Sequence, residues 1–170
     1  FSMQYKSTIG ADFLSKELVV DSTVVSLQLW DTAGQEQYNT MAASFYRNSE
    51  CCALVFDLTD LTSFEKIDSW RSEFLHQLGP KDPDNFPFVL LGNKSDKVAE
   101  RKVPETKIKQ YCELKGNIPY FETSAKDNLN VDKAFEEIAR LAFKRNSKED
   151  DIFIPPKKVD LAKPQTTTAN

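Results

Sequence analysis

Apolar and polar residues alternate with period two along Val24–Trp30 (VVSLQLW), and a run rich in Phe, Leu and Val with interleaved charges precedes it from Ala11 to Val20. Both read as strands, the earlier one exposed on one side, and Asp21-Ser22-Thr23 between them is turn chemistry. An antiparallel hairpin is expected. Cys51–Phe56 (CCALVF) and Phe88–Leu91 (FVLL) are continuous apolar runs of strand length. Such runs are typical of strands covered on both faces. Phe64, Ile67, Trp70, Phe74 and Leu78 recur at helical spacing. Thr62-Ser63-Phe64-Glu65 resembles a capping box with Thr62 as cap, and Gly79-Pro80 ends the helix.

Further along, a helix is expected over Pro104–Leu114, with proline tolerated in the first turn. Ile118–Phe121 reads as a short strand, and Val131, Phe135, Ile138 and Ala142 mark a last amphipathic helix. A short helical pattern ending at Arg47 lies between the hairpin and the first apolar strand. A hairpin followed by alternating helices and strands predicts an α/β fold, with a mostly parallel sheet, an antiparallel edge strand and helices on both faces. After Asn146 the composition changes to prolines, charges and a Thr run, so residues 147–170 read as an extended tail behind one domain, 1–146.

Composition narrows this picture. The chain has 170 residues, 40% of them hydrophobic, enough for one sizeable core. A formal charge of -4 and a pI of about 5.1 give no electrostatic attraction to nucleic acid. No run of about eighteen apolar residues is present, and the N-terminus lacks the basic-then-apolar pattern of a secretory signal. Cys51, Cys52 and Cys112 suit neither a zinc site nor a disulfide framework, and are expected to be reduced and buried.

Three polar clusters fall at the ends of predicted strands, where open α/β sheets bind their ligands. Asp31-Thr32-Ala33-Gly34-Gln35 follows Trp30. An Asp there can hold Mg²⁺, usually through water. Gly34 allows its N–H to approach a phosphate, and Gln35 can orient a water for in-line attack. Asn93-Lys94-Ser95-Asp96 follows Phe88–Leu91. The Asp96 carboxylate can accept from both the ring N1–H and the exocyclic amine of guanine. Adenine would leave it unpaired, and sites of this kind reject such an analogue by on the order of 10⁴. Asn93 can reach the other edge of the base, and the stem of Lys94 can cover a ring face. Glu122-Thr123-Ser124-Ala125-Lys126 follows the last strand, and its small residues allow a backbone N–H to reach the base carbonyl. Each cluster alone also reads as an ordinary polar loop. Their fixed order at successive strand ends points to a guanine-nucleotide site.

These residues resemble the Ras superfamily of small GTPases. TIGADF (Thr8–Phe13) and LQLWDTAGQEQY (Leu27–Tyr38) resemble the Rab branch, which regulates vesicle traffic. CCALVFDLT, DPDNFPFVLLGNKSD and IPYFETSAK are most similar to the Rab subgroup of late endosomes and lysosomes. The likeness covers residues 1 to about 146. It implies a P-loop NTPase-type fold and a monomeric switch that binds GTP and GDP with Mg²⁺. Thr8 would bind Mg²⁺ through its hydroxyl and the γ-phosphate through its N–H, with Asp31 as the second metal group and Gly34 and Gln35 at the reacting phosphate. Asn93, Lys94 and Asp96 would read guanine, and Ser124, Ala125 and Lys126 would complete the base pocket. Ile9, Phe13, Trp30 and Phe45 match the surface on which Rab effectors dock. Implied partners are effectors, an exchange factor, a GTPase-activating protein and an escort or GDP-dissociation inhibitor.

Three departures qualify the likeness. Gln37 stands where the family usually has Arg. No G-x-x-x-x-G-K-[ST] loop occurs in the chain. The family places a strand, that loop and a helix ahead of the position of Phe1, about one βα unit of roughly thirty residues. With Phe rather than Met at residue 1, that unit is expected to precede this sequence. A protein genuinely without it, a pseudo-GTPase or interaction module, is the alternative. Residues 1–170 alone are expected to be unstable and to bind GTP weakly or not at all, because the sheet would lack a central strand. Finally, no Cys follows Cys112, so a prenyl anchor on late endosomal or lysosomal membranes requires cysteines beyond this sequence. The apolar Ile152-Phe153-Ile154 resembles a tail segment that contacts escort proteins.

Overall fold

The computed structural model describes residues 7–34 and 46–150, the side chains as far as residue 147. Gln35, Gln37, Phe45 and the Ile152–Ile154 patch lie outside the described residues.

The hairpin forms as its alternation predicts. Strands β1 (Ala11–Val20) and β2 (Thr23–Thr32) pair antiparallel over their whole length, from Ala11 opposite Thr32 to Val20 opposite Thr23. Only two residues make the turn, Asp21 at φ 47° and Ser22 at φ 66°. Two consecutive positive φ values are those of a type I′ turn, whose twist matches that of the flanking strands. Thr23 is already in β2.

Strands β3 (Cys52–Asp57), β4 (Phe88–Asn93) and β5 (Tyr120–Glu122) form a parallel sheet in the order β3-β4-β5. The expected α/β arrangement therefore holds, but in two sheets, because β2 and β3 are not hydrogen-bonded to each other.

The helix expected over 62–78 divides at Lys66 into α1 (Leu61–Glu65) and α2 (Ile67–Leu78). Its cap is Asp60, not Thr62: Asp60 is extended (φ -129°), and its carboxylate accepts from the Thr62 N–H at 3.0 Å. A carboxylate two residues before a free N–H satisfies it directly, so the box-like Thr62–Glu65 spacing was a weaker signal than the Asp ahead of it. Gly79 ends α2 in the left-handed region (φ 59°), as expected of a C-terminal glycine. Pro104 precedes α3 (Glu105–Leu114), and α4 runs from Val131 to Asp150, so residues 147–150, expected as the start of an extended tail, continue the helix instead.

The main core lies on one face of the parallel sheet. Leu54, Phe56, Phe88 and Leu90 pack there against Phe64, Ile67, Phe74 and Ile108 from α1, α2 and α3. On the opposite face Val89 and Leu91 meet Ala134 and Ile138 of α4. Strand β4 is thus covered on both sides, as its apolar run predicts. Strand β3 is not: Leu54 and Phe56 are buried, whereas Val55 is 56% exposed. Its run of apolar residues alone does not reveal that α4 sits over β4 and leaves the neighbouring strand open.

A third apolar cluster joins the hairpin to α4. Val20 and Leu27 pack with Ala139, flanked by Leu18, Leu29, Phe135 and Phe143. An ion pair from Lys16 to Asp132 (3.2 Å) adds to this contact, though both groups are largely exposed and it contributes little. Helix α4 is therefore shared by the two sheets.

Candidate functional site

Three parallel strands end along one edge of the sheet. Asp57 of β3 lies in register with Asn93 of β4, and Gly92 of β4 with Glu122 of β5. The loops that follow β4 and β5 carry two of the three polar clusters, and they are stitched together. The Thr123 N–H donates to the Gly92 carbonyl (2.8 Å), and the Ser95 N–H to the Thr123 carbonyl (3.0 Å). Asn93 turns inward, its Oδ1 accepting from the Ala125 N–H at 3.0 Å. Asn93, Lys94, Asp96, Ser124 and Ala125, predicted from separate stretches, are thus brought into one site, with Lys126 next along on the exposed rim.

Ser124 is the anchor. It is fully buried, and its hydroxyl donates to Asp96 Oδ1 at 2.7 Å while accepting from the Asp127 N–H at 3.1 Å. Its backbone exchanges two hydrogen bonds with Leu129, which close the loop. That bond from Ser124 holds the Asp96 carboxyl below the usual carboxylate range; slight desolvation opposes it, and Lys126 and Lys97 assist. Asp96 is therefore an anion at neutral pH, the state that two guanine N–H donors require.

A second layer braces this arrangement. Arg101 grips Glu122 with two bonds of 2.9 and 2.7 Å, and Tyr120 donates to the same carboxylate at 2.9 Å. The bonds from Arg101 lower the Glu122 pKa, burial works against them, and Tyr120 adds to them. Burial foremost, then the bond to Glu122, pushes the Tyr120 hydroxyl well above its ordinary value. Asn130 donates to the Glu122 carbonyl at 2.9 Å, so the start of the last loop is fixed from both its side chain and its backbone.

The hairpin carries the first cluster. Thr8 precedes β1 and Asp31 lies near the end of β2, and the Thr8 hydroxyl donates to Asp31 Oδ2 at 3.0 Å. The Ala33 N–H donates to the Gly10 carbonyl at 2.8 Å, holding the two chain segments side by side. A hydroxyl and a carboxylate meeting in this way fit part of a Mg²⁺ shell, since that ion keeps several waters and takes few protein oxygens. A Cβ on Gly34 would meet nothing within 4 Å. Catalytic candidate Gln35 lies outside the described residues.

Phe13 and Trp30 face each other across the hairpin with ring centroids 4.8 Å apart. They are 43% and 47% exposed, and Ile9 nearby is 76% exposed. Large aromatics left open in this way belong to a surface rather than to the core. Phe45, the third ring expected there, lies outside the described residues. Of the cysteines, Cys112 is buried, whereas Cys51 and Cys52 are partly exposed at the start of β3. Burial pushes the Cys51 thiol up to about 12, which leaves it an inert thiol.

Sequence reasoning missed Asp57, Arg101, Tyr120 and Asn130. Asp57 carried the one usable signal. It is an acidic residue at the end of an apolar strand, in the same position as Asp31 relative to β2.

Comparison with known proteins identifies relatives of this chain. The Ras family profile matches residues 1–144. The chain is 56% identical over 155 residues to Ras-related protein Rab-7a of Dictyostelium discoideum, covering 91% of this chain and 75% of that protein. It is 55% identical over 156 residues to GTP-binding protein yptV5 of Volvox carteri, covering 91% and 76%. With Ypt/Rab-type GTPase ypt7 of Schizosaccharomyces pombe the identity is 51% over 171 residues, covering 98% and 83%.

Proposed function

This chain belongs to the Ras family of small GTPases, in its Rab branch, and from that premise we propose that it reads guanine nucleotides and signals their γ-phosphate to effectors in late endosomal traffic. One observation carries the nucleotide reading: the anionic Asp96 is held by the buried Ser124 in a site where two loops are joined by Asn93. Asp96 accepts from N1–H and the exocyclic amine. The stem of Lys94 covers one ring face, and Ser124, Ala125 and Lys126 close the pocket behind the base carbonyl.

At the phosphate end, Thr8 and Asp31 supply a hydroxyl and a carboxylate for Mg²⁺. The ion, when bound, would offset the negative charge of the phosphates. Gln35 orients the attacking water, and the Gly34 N–H donates to the γ-phosphate. Contacts to that phosphate order the segments around Thr8 and Gly34, and hydrolysis releases them. Ile9 and the open pair Phe13 and Trp30, with Phe45, form the effector surface, since exposed aromatics are favoured anchors at interfaces. The same segments serve an exchange factor and a GTPase-activating protein. Residues 1–146 act as the nucleotide-binding domain and 147–170 as the tail that an escort or GDP-dissociation inhibitor holds. No described helix is long and apolar enough to cross a membrane. Residence on late endosomal membranes, alternating with the cytoplasm, would rest on a lipid anchor.

Calorimetric titration with GDP, ADP and XDP tests the reading as a ratio, which holds at any absolute affinity. GDP should exceed ADP by on the order of 10³ or more. Xanthine carries a carbonyl where guanine carries its amine, so Asp96→Asn, which offers an amide donor, should lose GDP and gain XDP. Equal affinity for GDP and ADP would exclude guanine recognition by this site.

A further inference from the structure

Beyond the guanine-reading residues lies a carboxylate with no part in the scheme above. Asp57 ends β3 and is in register with Asn93, so the parallel sheet sets it beside the first residue of the guanine loop. Its Oδ2 takes the Lys94 ammonium at 2.7 Å. Its Oδ1 accepts from the Thr59 N–H (2.8 Å) and from the Thr59 hydroxyl (2.7 Å). Its own N–H donates to the Ser63 hydroxyl at 2.9 Å. Both carboxylate oxygens and the backbone are thus tied down, and the side chain is only 21% exposed. An anchor fixed at this many points has little freedom to follow Lys94; Lys94 must come to it.

Lys94 itself is unusual in its backbone. Its φ of 65° lies in the left-handed region, which is strained for an ordinary L-residue. Its carbonyl accepts from the Lys97 N–H at 3.0 Å, which closes a tight turn. The turn sets where the lysine stem starts, and Asp57 sets where it ends. A free lysine stem samples many rotamers, and ordering one on binding a base costs conformational entropy. Here the order exists before any base arrives. Burial opposes ionisation of Asp57, but the bonds from Lys94 and Thr59 prevail and keep its pKa below the usual carboxylate range.

We propose that Asp57 is a positioning residue for guanine recognition: it holds the Lys94 ammonium so that the lysine stem is laid out in advance as the cover for the base. This rests on the guanine reading given above. Lys94 touches the base; Asp57 acts only through Lys94. The competing reading is a partly exposed ion pair that stabilises the fold slightly and leaves the nucleotide indifferent.

A double-mutant cycle separates the two. Affinity for fluorescent mant-GDP is measured on the full chain for the parent, Asp57→Ala, Asp57→Asn, Lys94→Ala and the D57A/K94A pair. Asp57→Ala should weaken binding about five- to tenfold, the low end of coupling between linked sites. Asp57→Asn, which keeps the shape and loses the charge, should fall between. In the Lys94→Ala background, Asp57→Ala should change affinity by less than about twofold, since contacting residues acting on one effect are not additive. An equal loss in both backgrounds, or none in either, overturns the proposal. Lysine ammonium NMR supplies a readout without nucleotide. A distinct Lys94 signal should be present in the parent and collapse to the solvent-averaged position in Asp57→Ala. If Lys94→Ala leaves GDP affinity untouched, the guanine reading fails. The ammonium signal still decides the positioning contact, and its indifference to Asp57→Ala would overturn it alone.

Discussion

Replacing Gly92 by Ala would place a methyl group at a crowded point of the parallel sheet. The new Cβ would lie 2.8 Å from the Tyr120 hydroxyl, 3.0 Å from Phe56 Cζ and 3.1 Å from Leu58 Cδ2. The first distance is below any ordinary carbon–oxygen contact, so Tyr120 has to move. It cannot move freely. Its hydroxyl donates to Glu122 at 2.9 Å, and its ring stacks on Phe56 at 6.4 Å between centroids. Overpacking a core in this way costs about 1–3 kcal/mol. For a chain of this size that lowers the unfolding midpoint by about 2–12 °C. Thermal unfolding followed by circular dichroism measures it, with Tyr120→Phe as the companion variant. In that background the nearest atom of the clash is gone, so the cost of Gly92→Ala should shrink by about 1 kcal/mol. Glu122 starts the loop that reaches the base, so the variant should weaken GDP binding as well. A midpoint within 1 °C of the parent, or a cost unchanged by Tyr120→Phe, would refute the crowding argument.

Two further outcomes follow from the same geometry. Ser22 holds φ 66° in the hairpin turn, so Ser22→Gly should stabilise by up to about 1 kcal/mol, seen as a higher urea midpoint; a lower midpoint would show that the turn is not strained. Glu122 has a folded-state pKa held below its ordinary 4.5 by Arg101, so the stability it contributes is present above that value and lost as pH falls through the folded one. Between pH 5 and pH 3 the parent should therefore lose more stability than Glu122→Gln, and parallel curves in acid denaturation would contradict this.

What could be read from the chain, and what could not, divides along the range of the interactions. The hairpin was legible because period-two alternation is local and Asp21-Ser22 is a turn pair. The polar clusters that meet after β4 and β5 were legible because each is a short polar run directly after an apolar one. The Asp60 cap was missed although it is local, because Thr62 and Glu65 offered a competing box pattern. Asp57 was missed for a different reason. Its partner lies on the next strand, and only the register of β3 against β4 sets Asp57 opposite Asn93. Arg101 and Glu122 meet through the packing of a loop against β5, which no spacing in the sequence encodes. The exposed side of β3 was hidden for the same reason, since an apolar strand reads alike whether one face or both are covered.

Helix α4 touches the hairpin through Ala139, Phe135 and Phe143, and the parallel sheet through Ala134 and Ile138. Both contacts are apolar, and apolar contacts have no preferred direction. The loops after β4 and β5 are stitched by directional bonds, whereas the hairpin bearing Thr8, Asp31, Phe13 and Trp30 meets α4 mainly through apolar contact. Through α4 the two sheets share one apolar backing.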